Sequence, residues 1–382
     1  MNVATNPASA LAAQPPLDPE VLEELRDSVA RVLTTECDSR AIHAFIDGQS
    51  ELDRALWRQA AGLGWLAAAL PEMHGGLGLG APGLSVLHAE LGRRAAPGPY
   101  IATLSVAQWL AELPAGAACG EHITSIAQGE LTAAMPVAVL GACPLDLNNG
   151  KVTGQADLLG GADAGLAVVP VGSGGLVAGW ALIRPGDANL EVLETWDRTR
   201  QLIHIDCAGV DSILTLPDPD GTVGRRLWGH AARALAADSL GGASNIAHQT
   251  VDYLKTRIQF DRPIASFQAI KHRAANLVAS IATQEHLLEQ ATECAADASP
   301  DASMWAALAK AGATECFSFV SGDCIQLHGG VGHTWEFDPH IFAKRARLNE
   351  ALVGDNRAMR DFAAEALAIA TRSGRVTTEL GA

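Results

Sequence analysis

Helical periodicity occupies both ends of this 382-residue chain and fails in its middle, and that break constrains the fold more than any single residue does. From Asp18 to about Gly129 apolar side chains return at steps of three and four, as in Val21, Leu22, Leu25, Val29 and Val32, and again around Leu56 to Leu70 and Leu84 to Leu91. The stretch Pro71-Glu72-Met73-His74-Gly75-Gly76-Leu77-Gly78 is too rich in glycine for a helix interior and reads as a loop, as does Ala96-Pro97-Gly98-Pro99. Between about Glu130 and Leu216 glycine pairs recur, and short apolar runs such as Leu166 to Val169 and Trp180 to Ile183 sit between turns, the pattern of strands. Past Pro217-Asp218-Pro219-Asp220-Gly221 helical spacing returns and holds nearly to the end, with Gly241-Gly242 as its weakest point. Ser266 is the expected N-cap of a long helix striped by Ile270, Ala274, Leu277, Ile281 and Leu288. The expectation is an α+β protein. It has a flexible arm over residues 1–17, an N-terminal helical domain over 18–129, a middle β-barrel or sheet domain over 130–221 and a C-terminal four-helix bundle over 222–382.

Composition narrows the possible roles. With 48% hydrophobic and 18% charged residues, and no apolar run near the ~20 residues of a membrane span, a globular protein without a membrane span is expected. Forty-three acidic against 27 basic residues give a net charge of −16, which repels nucleic-acid backbones and leaves phosphate binding to local sites. The seven cysteines are scattered and odd in number, so neither a disulfide framework nor a metal site is implied, and a reducing cytoplasm fits. The Ala- and Pro-rich start lacks the basic and apolar segments of a signal peptide.

Two C-terminal segments carry the chemistry. In Arg257-Ile258-Gln259-Phe260-Asp261-Arg262-Pro263-Ile264-Ala265-Ser266-Phe267-Gln268, a guanidinium at a helix end stands beside an amide and a flat apolar ring, groups suited to a pyrophosphate. In Gln326-Leu327-His328-Gly329-Gly330-Val331-Gly332, a glutamine precedes glycines that let a ligand approach the backbone closely. Each has a plainer reading, a helix cap for Arg257 and a C-terminal turn for Gly329-Gly330. His328, His333 and His340 lack matched carboxylate ligands and read as structural.

These strings resemble those of the acyl-CoA dehydrogenases: "R-x-Q-F-G-x-P-I-x-x-F-Q" for the first and "Q-x-x-G-G-x-G" for the second. Pro71 to Gly78 is similar to the family's "P-E-x-x-G-G-x-G", and Glu90-Leu91-Gly92-Arg93 to its "E-E-L-G-R", although Glu90 with Arg93 and Arg94 also reads as surface helix pairs. The resemblance implies FAD as cofactor, an acyl-CoA substrate and an electron-transfer flavoprotein as redox partner. It assigns Arg257, Gln259, Phe260, Gln268, Gln326, Gly329 and Gly330 to the adenosine side of a FAD that spans a subunit interface.

Where the family carries its catalytic glutamate in "Y-E-G-T", this chain has Leu352-Val353-Gly354-Asp355, and the alternative glutamate position, counted back from Tyr253, falls on Ala231. Neither side chain accepts a proton. The flavin-facing stretches "T-E-P-x-x-G-S-D" and "W-x-T/S-N" correspond here to Val137 to Pro144 and Asp157 to Gly161, whose side chains offer a ring few donors. The resemblance therefore implies the base-less partner in a hetero-oligomeric, tetrameric enzyme whose paralogous subunit carries the glutamate. Such pairs occur among bacterial enzymes of steroid side-chain degradation, and His333-Thr334-Trp335-Glu336-Phe337-Asp338-Pro339-His340 is similar to their partner subunits. Two alternatives stand beside it: an active homotetramer with Asp238 as an atypical base, ~10 Å along the helix from Ala231, and a scaffold that binds neither flavin nor substrate.

Overall fold

The computed structural model describes residues 17–113, 119–138 and 144–373; the first sixteen residues of the arm, and Val139 to Cys143 of the first flavin-facing stretch, lie outside the described residues. The N-terminal part holds α1 (Pro19–Glu36), α2 (Ser39–Ile46), α3 (Leu52–Gly62), α4 (Gly80–Arg93), α5 (Tyr100–Ala111) and α6 (Gly120–Ala127). Helix starts are chemically marked: the Asp18 carboxylate accepts from Glu20 N with Pro19 in the first turn, and Asp38 accepts from Ala41 N. Between α3 and α4 the glycine-rich loop makes one 3-10 turn, Glu72–His74, and leaves it through Gly75 in a left-handed conformation. Helix α5 is buried from Tyr100 to Leu110 on every side, the signature of a central helix.

The middle part is one mixed eight-stranded sheet of β1 (Ala133–Pro136), β2 (Leu145–Asn148), β3 (Lys151–Leu159), β4 (Leu166–Ser173), β5 (Leu176–Ile183), β6 (Asn189–Leu193), β7 (Leu202–Asp211) and β8 (Leu214–Pro217). The order is β6-β7-β3-β1-β4-β5-β8, with β2 bridging β3 and β4; β1 and β2 run parallel to β4 and the other pairs are antiparallel. Strand β3 alternates exposed and buried until Leu158 and Leu159, where both faces are covered. Leu158 joins the core among the strands, and Leu159 joins a second core shared with α5 and the C-terminal helices.

The C-terminal part is a helical bundle of α7 (Thr222–Thr256), α8 (Gln268–Ala296) and α9 (Ala302–His328), completed by α10 (Pro339–Ala351) and α11 (Asn356–Arg372). A two-residue hairpin, β9 (Ile258–Gln259) and β10 (Arg262–Pro263), joins α7 to α8. Three expectations are corrected here. Ser266 is not a cap: it ends a 3-10 turn, Ile264–Ser266, and α8 starts one residue after the extended Phe267 without a side-chain cap. The striped face of α8 is nonetheless the inward one, with Leu277 and Ile281 buried.

Nor is Gly241-Gly242 a weak point, because α7 runs unbroken through it over 35 residues. A Cβ on Gly241 would lie 1.9 Å from the Ala89 carbonyl oxygen of α4, and one on Gly92 would lie 2.0 Å from the Asp238 carbonyl oxygen of α7. The glycines let two helix backbones touch, and the packing of that crossing outweighs their poor helix propensity. Third, Glu90 and its arginines are not surface pairs. Glu90 is buried, Arg93 reaches its carboxylate at 3.3 Å and Ser244 of α7 at 3.1 Å, and Arg94 donates to Thr34 of α1.

Since the atom facing a Gly241 Cβ is backbone, Gly241→Ala has to part α4 from α7, and we expect a loss of about 1–3 kcal/mol, the usual cost of overpacking. Gly186→Ala, where no atom lies within 4 Å, serves as control. Urea denaturation of the two variants measures the difference, and equal midpoints would refute the crossing as a close backbone contact.

Candidate active site

The two halves of the expected site differ in their exposure. All seven residues assigned to the adenosine side are exposed: Arg257, Gln259, Phe260, Gln268, Gln326, Gly329 and Gly330. Three chain segments bring them to one end of the bundle. Tyr253, one turn before Arg257, stacks on His328 with ring centroids 4.4 Å apart, and its hydroxyl donates to the His328 carbonyl, which ties the end of α7 to the end of α9. Arg273 of α8 pairs with Asp323 of α9, its Nε 3.2 Å from Oδ2. Ile264 N donates to the Arg257 carbonyl at 2.9 Å and closes the hairpin between α7 and α8.

Within that hairpin Phe260 and Asp261 have φ of +54° and +60°, a turn that favours glycine and asparagine, and Asp261 stands where the family string has its glycine. Phe260 is 84% exposed, touching only the edge of Phe267, over which Arg262 lies at 4.0 Å. The Arg257 guanidinium and the Gln326 amide make no side-chain hydrogen bond or ion pair among the described residues, and a Cβ built on Gly329 or Gly330 meets nothing within 4 Å. A free guanidinium, a free amide and open backbone are the donor set that a pyrophosphate and ribose require, so these residues fit the adenosine half of FAD.

The two expected glutamate positions are apolar and buried. Val353 is fully buried with φ of +67°, and its backbone N donates to the Val137 carbonyl at 2.6 Å, so the loop meets the start of the first flavin-facing stretch directly. Its own carbonyl accepts from Trp228 Nε1 at 3.1 Å. Ala231 and its neighbour Ala232 are likewise fully buried, in the same apolar cluster as Val353, Trp228, Trp109, Met135 and Leu159. Of the tryptophans of this cluster, Trp109 Nε1 donates to the Val223 carbonyl at 2.8 Å and Trp180 Nε1 to the Asp218 carboxylate at 3.0 Å. Lys310, also fully buried, donates to the carbonyls of Gly354 at 2.6 Å and Glu350 at 2.8 Å and pins the loop from below; burial pushes its amine down to about 8. Asp355 caps α11 by accepting from Ala358 N at 2.8 Å.

Asp238, the atypical base considered above, is overturned by its surroundings. It is buried, and Arg345 grips it from α10 with Nη2 2.5 Å from Oδ1 and Nε 3.2 Å from Oδ2. Arg200 Nη2 lies 2.7 Å from Oδ2 as an ion contact, and Asn349 Nδ2 donates to the same oxygen at 2.9 Å. Burial alone would raise its pKa, but the two guanidiniums and these hydrogen bonds outweigh burial and hold it far below the usual carboxylate range. Such a group takes up no proton near neutral pH. Partners 38 and 107 residues away left no local signal in the sequence. His328 Nδ1 contacts the Cys324 carbonyl at 2.9 Å, and His340 packs on Trp335 and His43.

Fold and site together place this chain in a known family. Residues 19–123 match the acyl-CoA dehydrogenase N-terminal domain and residues 226–368 the acyl-CoA dehydrogenase C-terminal domain, and the chain belongs to the acyl-CoA dehydrogenases, oxidoreductases acting on CH–CH donors. It is 32% identical over 340 residues to "Acyl-CoA dehydrogenase IpdE2" of Mycobacterium tuberculosis, covering 89% of this chain and 95% of that one. Among solved structures it is similar to "Tcur3481-Tcur3483 steroid ACAD G363A variant", with 27% identity, a TM-score of 0.82 and 92% and 99% of the two chains covered. The fold is shared with the "ChsE4-ChsE5 complex from Mycobacterium tuberculosis", with 24% identity, a TM-score of 0.84 and 92% and 98% covered. No helix among the described residues is long and apolar enough to cross a membrane.

Asp238→Asn leaves two buried guanidiniums with Asp197 as the remaining counter-charge and is expected to cost about 3–5 kcal/mol in denaturant unfolding. The native carboxyl is depressed, so its stabilisation is complete above the unfolded value of about 3.9 and is lost as pH falls below it. The variant should therefore lose less stability than the native protein between about pH 4 and 2, and parallel curves would contradict the assignment.

Proposed function

We propose that this chain is the base-less subunit of a hetero-oligomeric, FAD-dependent acyl-CoA dehydrogenase. It lends its adenosine-side residues to a paralogous subunit that carries the catalytic glutamate. The observation that carries this reading is the asymmetry of the half-sites: seven exposed residues with free donors at one end of the bundle, and a direct Val353–Val137 backbone contact where a flavin ring would need room. FAD bound at the completed interface supplies the two-electron acceptor for α,β-dehydrogenation of an acyl-CoA thioester. This chain's own part is to hold. Arg257 neutralises phosphate charge, Gln259, Gln268 and Gln326 donate to phosphate or ribose oxygens, Phe260 lies against a flat face, and Gly329-Gly330 admits the ligand to the backbone. The proton-accepting step falls to the partner, since the positions available here are Val353 and Ala231.

The similarity to a two-chain steroid enzyme and to a two-chain complex supports a partner of the same family and an acyl-CoA from steroid or other lipid breakdown. An electron-transfer flavoprotein as re-oxidant, a tetramer and a cytoplasmic setting complete the proposal.

Purification of the chain alone and after co-expression with a glutamate-bearing paralogue tests it. The lone chain should be colourless and inactive, and the complex yellow and active. Arg257→Ala in this chain should weaken FAD retention by the complex about tenfold to a hundredfold, the loss of charge-assisted hydrogen bonds of about 1.5–3 kcal/mol. A lone chain that carries stoichiometric flavin and turns over substrate would sink the proposal.

A further inference from the structure

A second polar site lies on the other face of the first half of α7, away from Val353. A cavity of about 380 Å³ opens between α7, the end of α5 and the turn joining α8 to α9, lined by Arg225, Arg226, His230, Arg233, Glu112, Ser299 and Ser303 among others. Three arginines face one carboxylate in a chain whose net charge is −16. Arg233 is 93% buried by its 7% exposure, yet its only side-chain partner is a ring nitrogen: Nη2 lies 2.8 Å from His230 Nδ1. A guanidinium cannot accept, so Nδ1 must, and the ring proton sits on Nε2, which donates to Glu112 Oε2 at 2.9 Å. Gln108 Nε2 holds the other Glu112 oxygen at 3.1 Å.

The relay fixes the guanidinium in orientation while keeping the carboxylate one imidazole away from it. Among the described residues the remaining donors of Arg233, Nε and Nη1, have no partner, and Arg226 has none. The start of α9, a 27-residue helix whose N-cap Asp301 gives no side-chain cap, adds the positive end of its dipole beside Ser303.

We infer that this cavity binds the phosphate group of a small phosphate monoester. A buried guanidinium held with free donors, a second partner-free arginine, serine hydroxyls and a helix N-terminus together match a tetrahedral dianion with several acceptor oxygens better than a planar monoanion. The volume exceeds that of a bare ion and leaves space for an organic portion of the ligand. The site is independent of the flavin reading, since none of its residues belongs to either half-site above.

Calorimetric titration of the full chain with inorganic phosphate, and with acetate at matched ionic strength, tests the inference. One saturable phosphate site is expected, with acetate at least tenfold weaker. Arg226→Gln, on a half-exposed and partner-free side chain that the fold does not need, should weaken phosphate at least tenfold. Arg233→Gln should do the same where circular dichroism shows it folded. No saturable phosphate heat, equal affinity for acetate, or an unchanged Arg226→Gln would each overturn it.

Discussion

The ion cluster around Asp238 is the constraint on which the other features of this chain depend. Asp238 lies on α7, Arg345 and Asn349 on α10 and Arg200 just before β7, and Arg345 also donates to Thr199 and to the Ala96 carbonyl at the end of the N-terminal helices. All three parts of the molecule thus meet at one buried carboxylate. With Asp197 close by, two cations face two anions, and the charges are removed from water only because each finds several partners. Gly92 presses on the Asp238 carbonyl itself, so the helix crossing and the ion cluster fix each other's position. The angle of α7 against α10 follows from both, and the loop after α10 inherits its place from that angle.

That loop shows why the two half-sites diverge. Pinned by Lys310 below and Trp228 beside it, it is carried against β1's end, where Val353 and Val137 meet backbone to backbone. An apolar side chain there adds to a core that already holds Trp228, Ala231 and Leu159. At the far end of the bundle no such filling occurs: the hairpin, the start of α8 and the glycines after α9 leave polar groups facing outward. One end buries apolar area and gains stability within the subunit; the other keeps its donors free, which stabilises only a complex with something else.

Much of this was legible in the sequence. The change from helical spacing to short strands and back located the three parts, because hydrophobic period reports directly on which faces are buried, and the long strings at Arg257 and Gln326 fall on one exposed end of the bundle. Val353 and Ala231 were readable as apolar residues where the resemblance expects a glutamate, because a residue type needs no geometry to recognise. What escaped were contacts between distant residues. Asp238 looked available on its helix, and nothing nearby announced Arg200 and Arg345. Gly241-Gly242 looked like a break, since propensity is local and the neighbouring Ala89 carbonyl and Phe317 ring that favour glycine come from other helices. Ser266 has the chemistry of a cap, yet Phe267 supplies the extended residue before the helix, and the cap is lost to a turn of 3-10 geometry. The Glu112–His230–Arg233 relay likewise joins residues 118 and 3 positions apart and leaves no motif.

Val353 carries one further implication. A β-branched residue at φ of +67° is disfavoured by roughly 1–3 kcal/mol, and sequence alone offers no reason to place it there. The strain persists because the bonds from Trp228, Lys310 and Val137 determine the loop's path whatever side chain it carries. The loop's path is therefore set by these bonds and not by the side chain at position 353. Any carboxylate at this point would be enclosed by tryptophan, alanine and leucine, with its neutral form favoured by the surroundings. The bonds that fix the loop and the apolar packing around Val353 are thus one structural state: the packing that disfavours a charge at position 353 also seats the loop against Val137.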